Sequence, residues 1–272
     1  MAPPPAPDPV HQARIHALWD ELTAFEAARN DEALRHLLGS VAEMIDAQNA
    51  YWMGAVRLSE DVRDPLFGWR PRAIRYLQPL VSDETYTRDR MKSLNRGQTI
   101  DEATVAQAQR AGTWRACRLR DLVSKDWFDS ETYQGYLGRG VHDSLTVGVP
   151  VNGMAEGYYG FLRLRKDDPF TEAQRDLAFH ALRGLTWFHR QVMLAEGLLV
   201  ASTPLSPVER RVLSQLLTDQ AEKVIAANLG VSPATLHTYV RDVLRKFNVS
   251  GRNGLIALWL GRRADTPESS QR

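Results

Sequence analysis

The chain has 272 residues, with 34 Lys and Arg against 33 Asp and Glu for a formal charge of +1. Its 43% hydrophobic and 25% charged content is that of a folded globular protein and excludes a disordered chain. No apolar run reaches the ~18 residues of a membrane span, and the single cysteine, Cys117, excludes an internal disulfide and a cysteine-cluster metal site.

Pro3-Pro4-Pro5-Ala6-Pro7-Asp8-Pro9 opens the chain. It lacks the apolar core of a signal peptide, so residues 1–9 read as a disordered, proline-rich arm and the chain as cytoplasmic. His11 to Arg29 predicts a helix with Ile15, Leu18, Trp19, Leu22 and Phe25 on one side. Asp31 to Ala47 predicts a second, with Leu34, Leu37, Leu38, Val41, Met44 and Ile45. The period then changes. Tyr51 to Leu58 predicts a strand with Trp52, Val56 and Leu58 on one face; Ala73 to Leu80 and Gly112 to Leu119 are further strands. Ser144 to Val151 and Gly157 to Arg165 form the clearest pair, with Asn152-Gly153 as the turn between them. After Asp168-Pro169, Thr171-x-x-Gln174 starts one long helix to about Leu199. Helices first, an antiparallel sheet next and a long closing helix predict an α+β sandwich over residues 10–200.

Ala201-Ser202-Thr203-Pro204 reads as a linker, and the period changes again. Ser206-Pro207-Val208-Glu209 is a capping box with proline at the first helical position, where its missing N–H costs nothing. Gln220 to Leu229 is a short amphipathic helix, Gly230 supplies a sharp turn, and Ser232-Pro233 starts a longer helix. A short helix, a glycine turn and a capped longer helix are the grammar of a helix-turn-helix. On the longer helix Leu236, Val240, Val243, Leu244 and Phe247 form one apolar stripe. The other face carries Ala234, Thr235, His237, Thr238, Arg241, Asp242 and Arg245, short side chains first, as a helix entering a major groove requires. Arg245, Lys246 and Arg252 are candidate phosphate contacts. From Ala201 to Arg263 basic residues outnumber acidic ones, so the rest of the chain is mildly acidic; this asymmetry points to nucleic acid at the basic end. Residues 264–272 read as a disordered tail.

This segment, through LSPVERRVL, VIAANLGVSPATLHTYVRDVLRKFNV and GRNGLIALWL, resembles the LuxR-type (NarL/FixJ-type) helix-turn-helix. The resemblance implies an all-α four-helix DNA-binding domain over residues 205–263, with Pro233 to Phe247 as the recognition helix. It implies DNA contacts from Ala234, Thr235, His237, Thr238, Arg241, Arg245 and Lys246, and double-stranded operator DNA as partner. His237 stands where the family often has Lys or Glu, and Asn248 where it often has Gly. Upstream, SLTVGVPVNGMAEGYYGFLRLRKDDPFTEAQRDLAFHALRGLTWFHRQ resembles the GAF-like sensors, and the order of elements also resembles the autoinducer-binding domain of LuxR regulators. The W-x-x-x-Y run of the acyl-homoserine-lactone group is altered here: Trp52 has Val56 four residues on.

Between the first helices and the hairpin lie many large aromatics, of which Trp52, Trp69, Tyr76, Trp114 and Trp127 are the candidate lining of a small-molecule pocket; core filling is the alternative reading. The Arg-rich run Asp83 to Arg120 is either a solvated face or an anion-facing one. Cys117 is reactive only if Arg115 and Arg118 lie close enough to lower its pKa. His142-Asp143-Ser144 lacks the spatial convergence a triad needs, and Gly135 to Gly140 lacks a Lys-Ser or Lys-Thr partner, so neither catalysis, a metal nor a cofactor is expected. The reading is a one-component regulator that responds to a small-molecule effector and binds operator DNA as a homodimer, with RNA polymerase as a further partner. The alternative is a ligand-independent regulator whose N-terminal domain dimerises or docks a protein. The dimer surfaces considered are the final helix, with Leu255, Ile256, Leu258 and Trp259, and the long helix through Phe188 and Val192.

Overall fold

The computed structural model describes residues 4–61, 63–79, 84–98, 100–165, 169–199 and 204–261. Asp168, the linker residues 201–203, Arg262, Arg263 and the tail 264–272 lie outside the described residues, as does the side chain of Tyr86. The chain divides into two compact units, Met1–Ala24 with Glu32–Arg190, and Phe25–Asp31 with Gln191–Arg272.

The first unit begins with α1 (Pro9–Thr23), whose first N–H groups are capped by the Asp8 carboxylate at Val10 N (3.0 Å) and His11 N (3.1 Å). α2 (Asn30–Met44) buries Leu34, Leu37, Leu38 and Val41 at helical spacing. Five strands follow: β1 (Asn49–Arg57), β2 (Trp69–Tyr76), β3 (Arg115–Arg118), β4 (Asp143–Asn152) and β5 (Ala155–Arg163). They form one antiparallel sheet in the order β2-β1-β5-β4-β3. The β4–β5 hairpin closes through Asn152 paired with Ala155, and Asn152 Oδ1 accepts from Met154 N at 2.8 Å, so the predicted turn is present.

The period-two alternation decides which side chains meet which layer. Trp52, Leu145, Val147, Tyr159 and Phe161 are fully buried on one face. There α6 (Glu172–Arg183) and α7 (Thr186–Ala195) pack: Phe179 lies edge-on to Trp114, and His189 Nδ1 accepts the Tyr159 hydroxyl at 2.8 Å. His189 Nε2 lies 2.8 Å from the Leu182 carbonyl, which only accepts, so Nε2 carries the proton. Burial pushes His189 down to about 4. The opposite face carries Tyr51, Met53, Ala55, Thr146 and Tyr158. Three helices lie against it: α3 (Glu84–Asn95), α4 (Glu102–Gln109) and α5 (Glu131–Gly138).

Several elements differ from expectation. The single long helix is two, separated at Gly184-Leu185, where Gly184 caps the end of α6 and the Trp19 indole occupies the place of a Cβ (2.5 Å). The first helix ends at Thr23, followed by a 3₁₀ turn over Ala27–Arg29. The second strand begins at Trp69, earlier than Ala73, and Leu58 is exposed beyond the end of β1. α3, α4 and α5 lacked an apolar stripe strong enough to announce them; the residues they bury face a cavity.

The second unit holds α8 (Pro207–Leu216), α9 (Glu222–Leu229), α10 (Pro233–Lys246) and α11 (Arg252–Trp259). Their shared core includes Val212, Leu213, Leu216, Ile225, Leu236, Val240, Val243, Phe247, Leu255 and Leu258. Trp259 is also inside, 8% exposed with its ring tilted against Phe247 at 6.0 Å, so it is not a dimer surface; α11 exposes Ile256 instead, and Leu260 follows it at the surface. Phe188 and Val192 are likewise buried.

Candidate nucleic-acid interface and cavity

The helix-turn-helix is built by local chemistry. Ser206 Oγ accepts from Glu209 N while the Glu209 carboxylate accepts from Ser206 N at 2.7 Å, closing the capping box of α8. α9 ends on Gly230 at φ +65°, a left-handed conformation that costs glycine nothing and turns the chain sharply. Ser232 then caps α10, accepting from Thr235 N at 3.1 Å, with Pro233 at the first helical position. Asn248 adopts φ +52° after α10, one of the few side chains that tolerates this at a helix end.

The apolar stripe of α10 is buried as its periodicity requires: Leu236, Val240, Val243 and Phe247 face the core. The other face is exposed. Ala234, Thr235, His237, Thr238, Arg241 and Arg245 all lie at the surface, and positions 234, 238, 241 and 245 follow one line along the helix. Small groups stand at the N-terminal end and guanidinium groups toward the C-terminal end. Thr238 Oγ1 donates to the Ala234 carbonyl at 3.2 Å, leaving its lone pairs outward. His237 Nδ1 lies 4.0 Å from Glu222 at the start of α9.

Two cations proposed as phosphate contacts are occupied within the fold. Lys246 is half-buried and its Nζ donates to Glu209 Oε2 at 2.7 Å and to the Pro204 carbonyl at 3.4 Å. Burial pushes the Glu209 carboxyl up, but the Lys246 ammonium and the Ser206 donors outweigh it and hold it below the usual carboxylate range. Arg252 clamps the end of α8: its guanidinium donates to the carbonyls of Leu216 (2.6 Å), Gln220 (2.7 Å), Gln215 and Thr218. A cation there satisfies carbonyls that the helix leaves unpaired. Arg241 and Arg245 remain at the surface, Arg245 in an exposed pair with Asp242 at 2.9 Å.

In the first unit a cavity of ≈220 Å³ lies between the sheet and α3, α4 and α5. Of the five expected lining residues it includes Trp69 and Tyr76, both on β2. Trp52, Trp114 and Trp127 do not line it. Trp52 follows Tyr51 on β1 and therefore points to the opposite face, where it is fully buried. Trp114 precedes β3 on that same face, against Phe179, His189 and the Arg183 guanidinium 4.5 Å away. Trp127 sits in a cluster with Phe128, Tyr133 and Tyr136. The lining that residue type alone did not reveal includes Tyr51, Met53, Arg90, Gln107, Tyr136 and Arg139. The alternation Tyr51, Met53, Ala55 against Trp52 was the available signal.

The wall beside β3 is polar and tightly bonded. Arg115 and Glu156 are both buried and paired at 2.5 Å; Arg115 Nε donates to Gln107 Oε1 at 2.8 Å, and Glu156 accepts from Gly112 N. Burial drives Glu156 upward, opposed by the Arg115 guanidinium. Cys117 lies among these groups, with its Sγ 3.8 Å from Arg110 Nη1. Burial raises its thiol above the ordinary value despite Arg110 and Arg115, and Arg118 is turned to Asp121, so the thiol is not activated. Among the described residues no group of three or more His, Cys, Asp or Glu could hold a metal, and no helix is long and apolar enough to cross a membrane.

Residues 203–259 match the model for the bacterial regulatory proteins of the luxR family. No curated protein matches the chain. Among solved structures, SdiA in complex with octanoyl-rac-glycerol is 15% identical, spanning 95% of this chain and 99% of that one, at a TM-score of 0.44. Escherichia coli SdiA in the space group P6522 is 15% identical over 92% of this chain and 96% of that one, at 0.43. The VqsR LBD domain from Pseudomonas aeruginosa is 15% identical over 68% of this chain and 96% of that one, at 0.37.

Proposed function

We propose that the chain, whose residues 203–259 match the luxR-family model, is a cytoplasmic one-component transcription regulator that binds DNA and catalyses no reaction. In this reading residues 10–200 sense a small molecule, residues 201–204 link, and residues 205–263 bind operator DNA as half of a homodimer. RNA polymerase is a further contact of the bound dimer. The observation that supports it most is the exposed face of α10, where Ala234, Thr235, His237, Thr238, Arg241 and Arg245 form a stripe with the size gradient a major groove accepts. Lys246 contributes through the fold, holding the capping box of α8 against the end of α10.

The effector reading is supported by the cavity between the sheet and α3–α5, a concave, mostly apolar site with a few polar groups. Such an effector changes DNA affinity only by its differential affinity for two arrangements of the protein, with couplings typically about 1–3 kcal/mol. The test is selection of duplexes from a random pool by the full chain, followed by titrations at several salt concentrations. The expected product is a roughly two-fold symmetric site with half-sites about one helical turn apart and affinity falling steeply with salt. No sequence enrichment together with a flat salt dependence would overturn the DNA-binding regulator reading. A monomer saturating a single half-site at full affinity would overturn the dimer.

A further inference from the structure

The cavity has two chemically different ends, and the strand register separates them. Tyr51 is paired with Tyr76 on β2 and, through Gly160, with Thr146 on β4, so these three side chains share one end of the cavity-facing sheet surface. Tyr51 shares a hydrogen bond with Thr146 and interacts electrostatically with Tyr136, Tyr76 and Asp101. The helices bring Arg90 to this end, bonded to Asp101 at 2.6 Å, and Arg139, stacked over Tyr136 at 5.1 Å. Four residues further along β1, roughly 13 Å at strand rise, Ala55 marks the other end. There the lining is Trp69, Leu66, Leu94 and Ala108.

The polar end is rich in donors. Burial keeps the Tyr51 phenol protonated, guanidinium groups only donate, and among the described lining residues none is acidic. A second observation lies on the wall between the ends. Gln107 is 9% exposed, and its Oε1 is fixed by Arg115; its Nε2 has no hydrogen-bond partner among the described residues. A buried N–H₂ without an acceptor is costly, and native proteins rarely leave one.

From these we infer that the cavity takes a carboxylate-bearing amphiphile, an acyl or aromatic acid whose carboxylate meets Tyr51 and Arg139 and whose apolar body runs toward Trp69. An oxygen partway along that body would meet Gln107 Nε2. The inference rests on the effector reading above and specifies its chemistry. A guanidinium forks onto a carboxylate through two parallel bonds, which an ester or alcohol cannot accept with equal strength. The aromatic and aliphatic end provides the area that holds the body.

The test uses the full chain with three probes, decanoate, methyl decanoate and decanol, by calorimetric titration. Decanoate is expected to bind at least about tenfold more tightly than either neutral probe, a difference of about 1.4 kcal/mol. Arg139→Gln should remove that preference, weakening decanoate about tenfold and methyl decanoate much less. Tyr51→Phe, an isosteric change, should weaken decanoate several-fold and serves if Arg139→Gln does not fold. Equal binding of acid and ester, or a preference untouched by both variants, overturns the carboxylate assignment and leaves the effector reading standing. No binding of any probe, with no small molecule retained in native mass spectra of protein purified from its host, overturns both.

Discussion

Lys246→Met and Arg245→Gln, neighbouring substitutions of two cations on α10, are expected to have opposite consequences. Lys246 Nζ lies 2.7 Å from Glu209 Oε2, with the two side chains 24% and 12% exposed. An exposed ion pair is worth about 0–1 kcal/mol, and breaking a fully buried one costs about 3–5 kcal/mol. This pair lies between. Losing Nζ leaves a carboxylate that burial already disfavours, while the Ser206 N–H still donates to it. The expected loss for Lys246→Met is therefore about 1–2 kcal/mol of stability. Arg245 is 75% exposed and among the described residues pairs with Asp242, so Arg245→Gln should cost no more than a few tenths of a kcal/mol. On DNA the order reverses. A guanidinium that touches phosphate contributes about −0.9 to the slope of log affinity against log salt. Arg245→Gln should lower that slope by about one unit, and Lys246→Met should leave it nearly unchanged. Urea unfolding of the full chain by circular dichroism measures the first quantity, and fluorescence anisotropy with a selected duplex at several salt concentrations the second. A Lys246→Met protein of unchanged stability whose salt slope falls by a full unit would refute the assignment of Lys246 to the fold.

Three further expectations follow from the same geometry. His237→Ala and Thr238→Ala should each cost ~1–3 kcal/mol on the preferred duplex and relax selectivity at one or two base pairs, with little change on random DNA; equal losses on both would place these side chains off the bases. His189 titrates near 4 in the folded chain against ~6.5 unfolded. The unfolded state therefore takes the proton first, and stability falls as pH drops through that window, by about 3 kcal/mol in all. His189→Gln, which can keep both hydrogen bonds, should flatten that part of the profile, as read by urea midpoints at pH values either side of it. Trp259→Ala should destabilise by ~3–5 kcal/mol, because the indole is core. Ile256→Glu, at a 38% exposed position, should leave the fold intact and weaken cooperative binding to two half-sites; equal affinity of this variant for paired half-sites would remove α11 from the interface.

The helix-turn-helix was legible in the linear order of residues because every determinant in it is local. Ser206 with Glu209, Gly230, and Ser232 with Pro233 act on neighbours within four residues, and the α10 stripe repeats at the helical period. The β4–β5 hairpin was legible for the same reason, since Asn152-Gly153 sets its register. What local patterns could not decide was the partner of each long side chain. Lys246 and Arg252 read as candidate phosphate contacts until the chain brought Glu209 and the carbonyl end of α8 beside them from about 37 and 36 residues away. Trp259 read as a candidate dimer contact until Phe247 was placed against it. The cavity depended most on tertiary structure. Its helices α3, α4 and α5 bury little apolar surface and so show weak periodicity, while large aromatics such as Trp52, Trp114 and Trp127 fill space on either side of a sheet equally well. Residue type specifies how much area a side chain buries; only strand parity and the layer packed against it decide whether that area faces a core or a ligand.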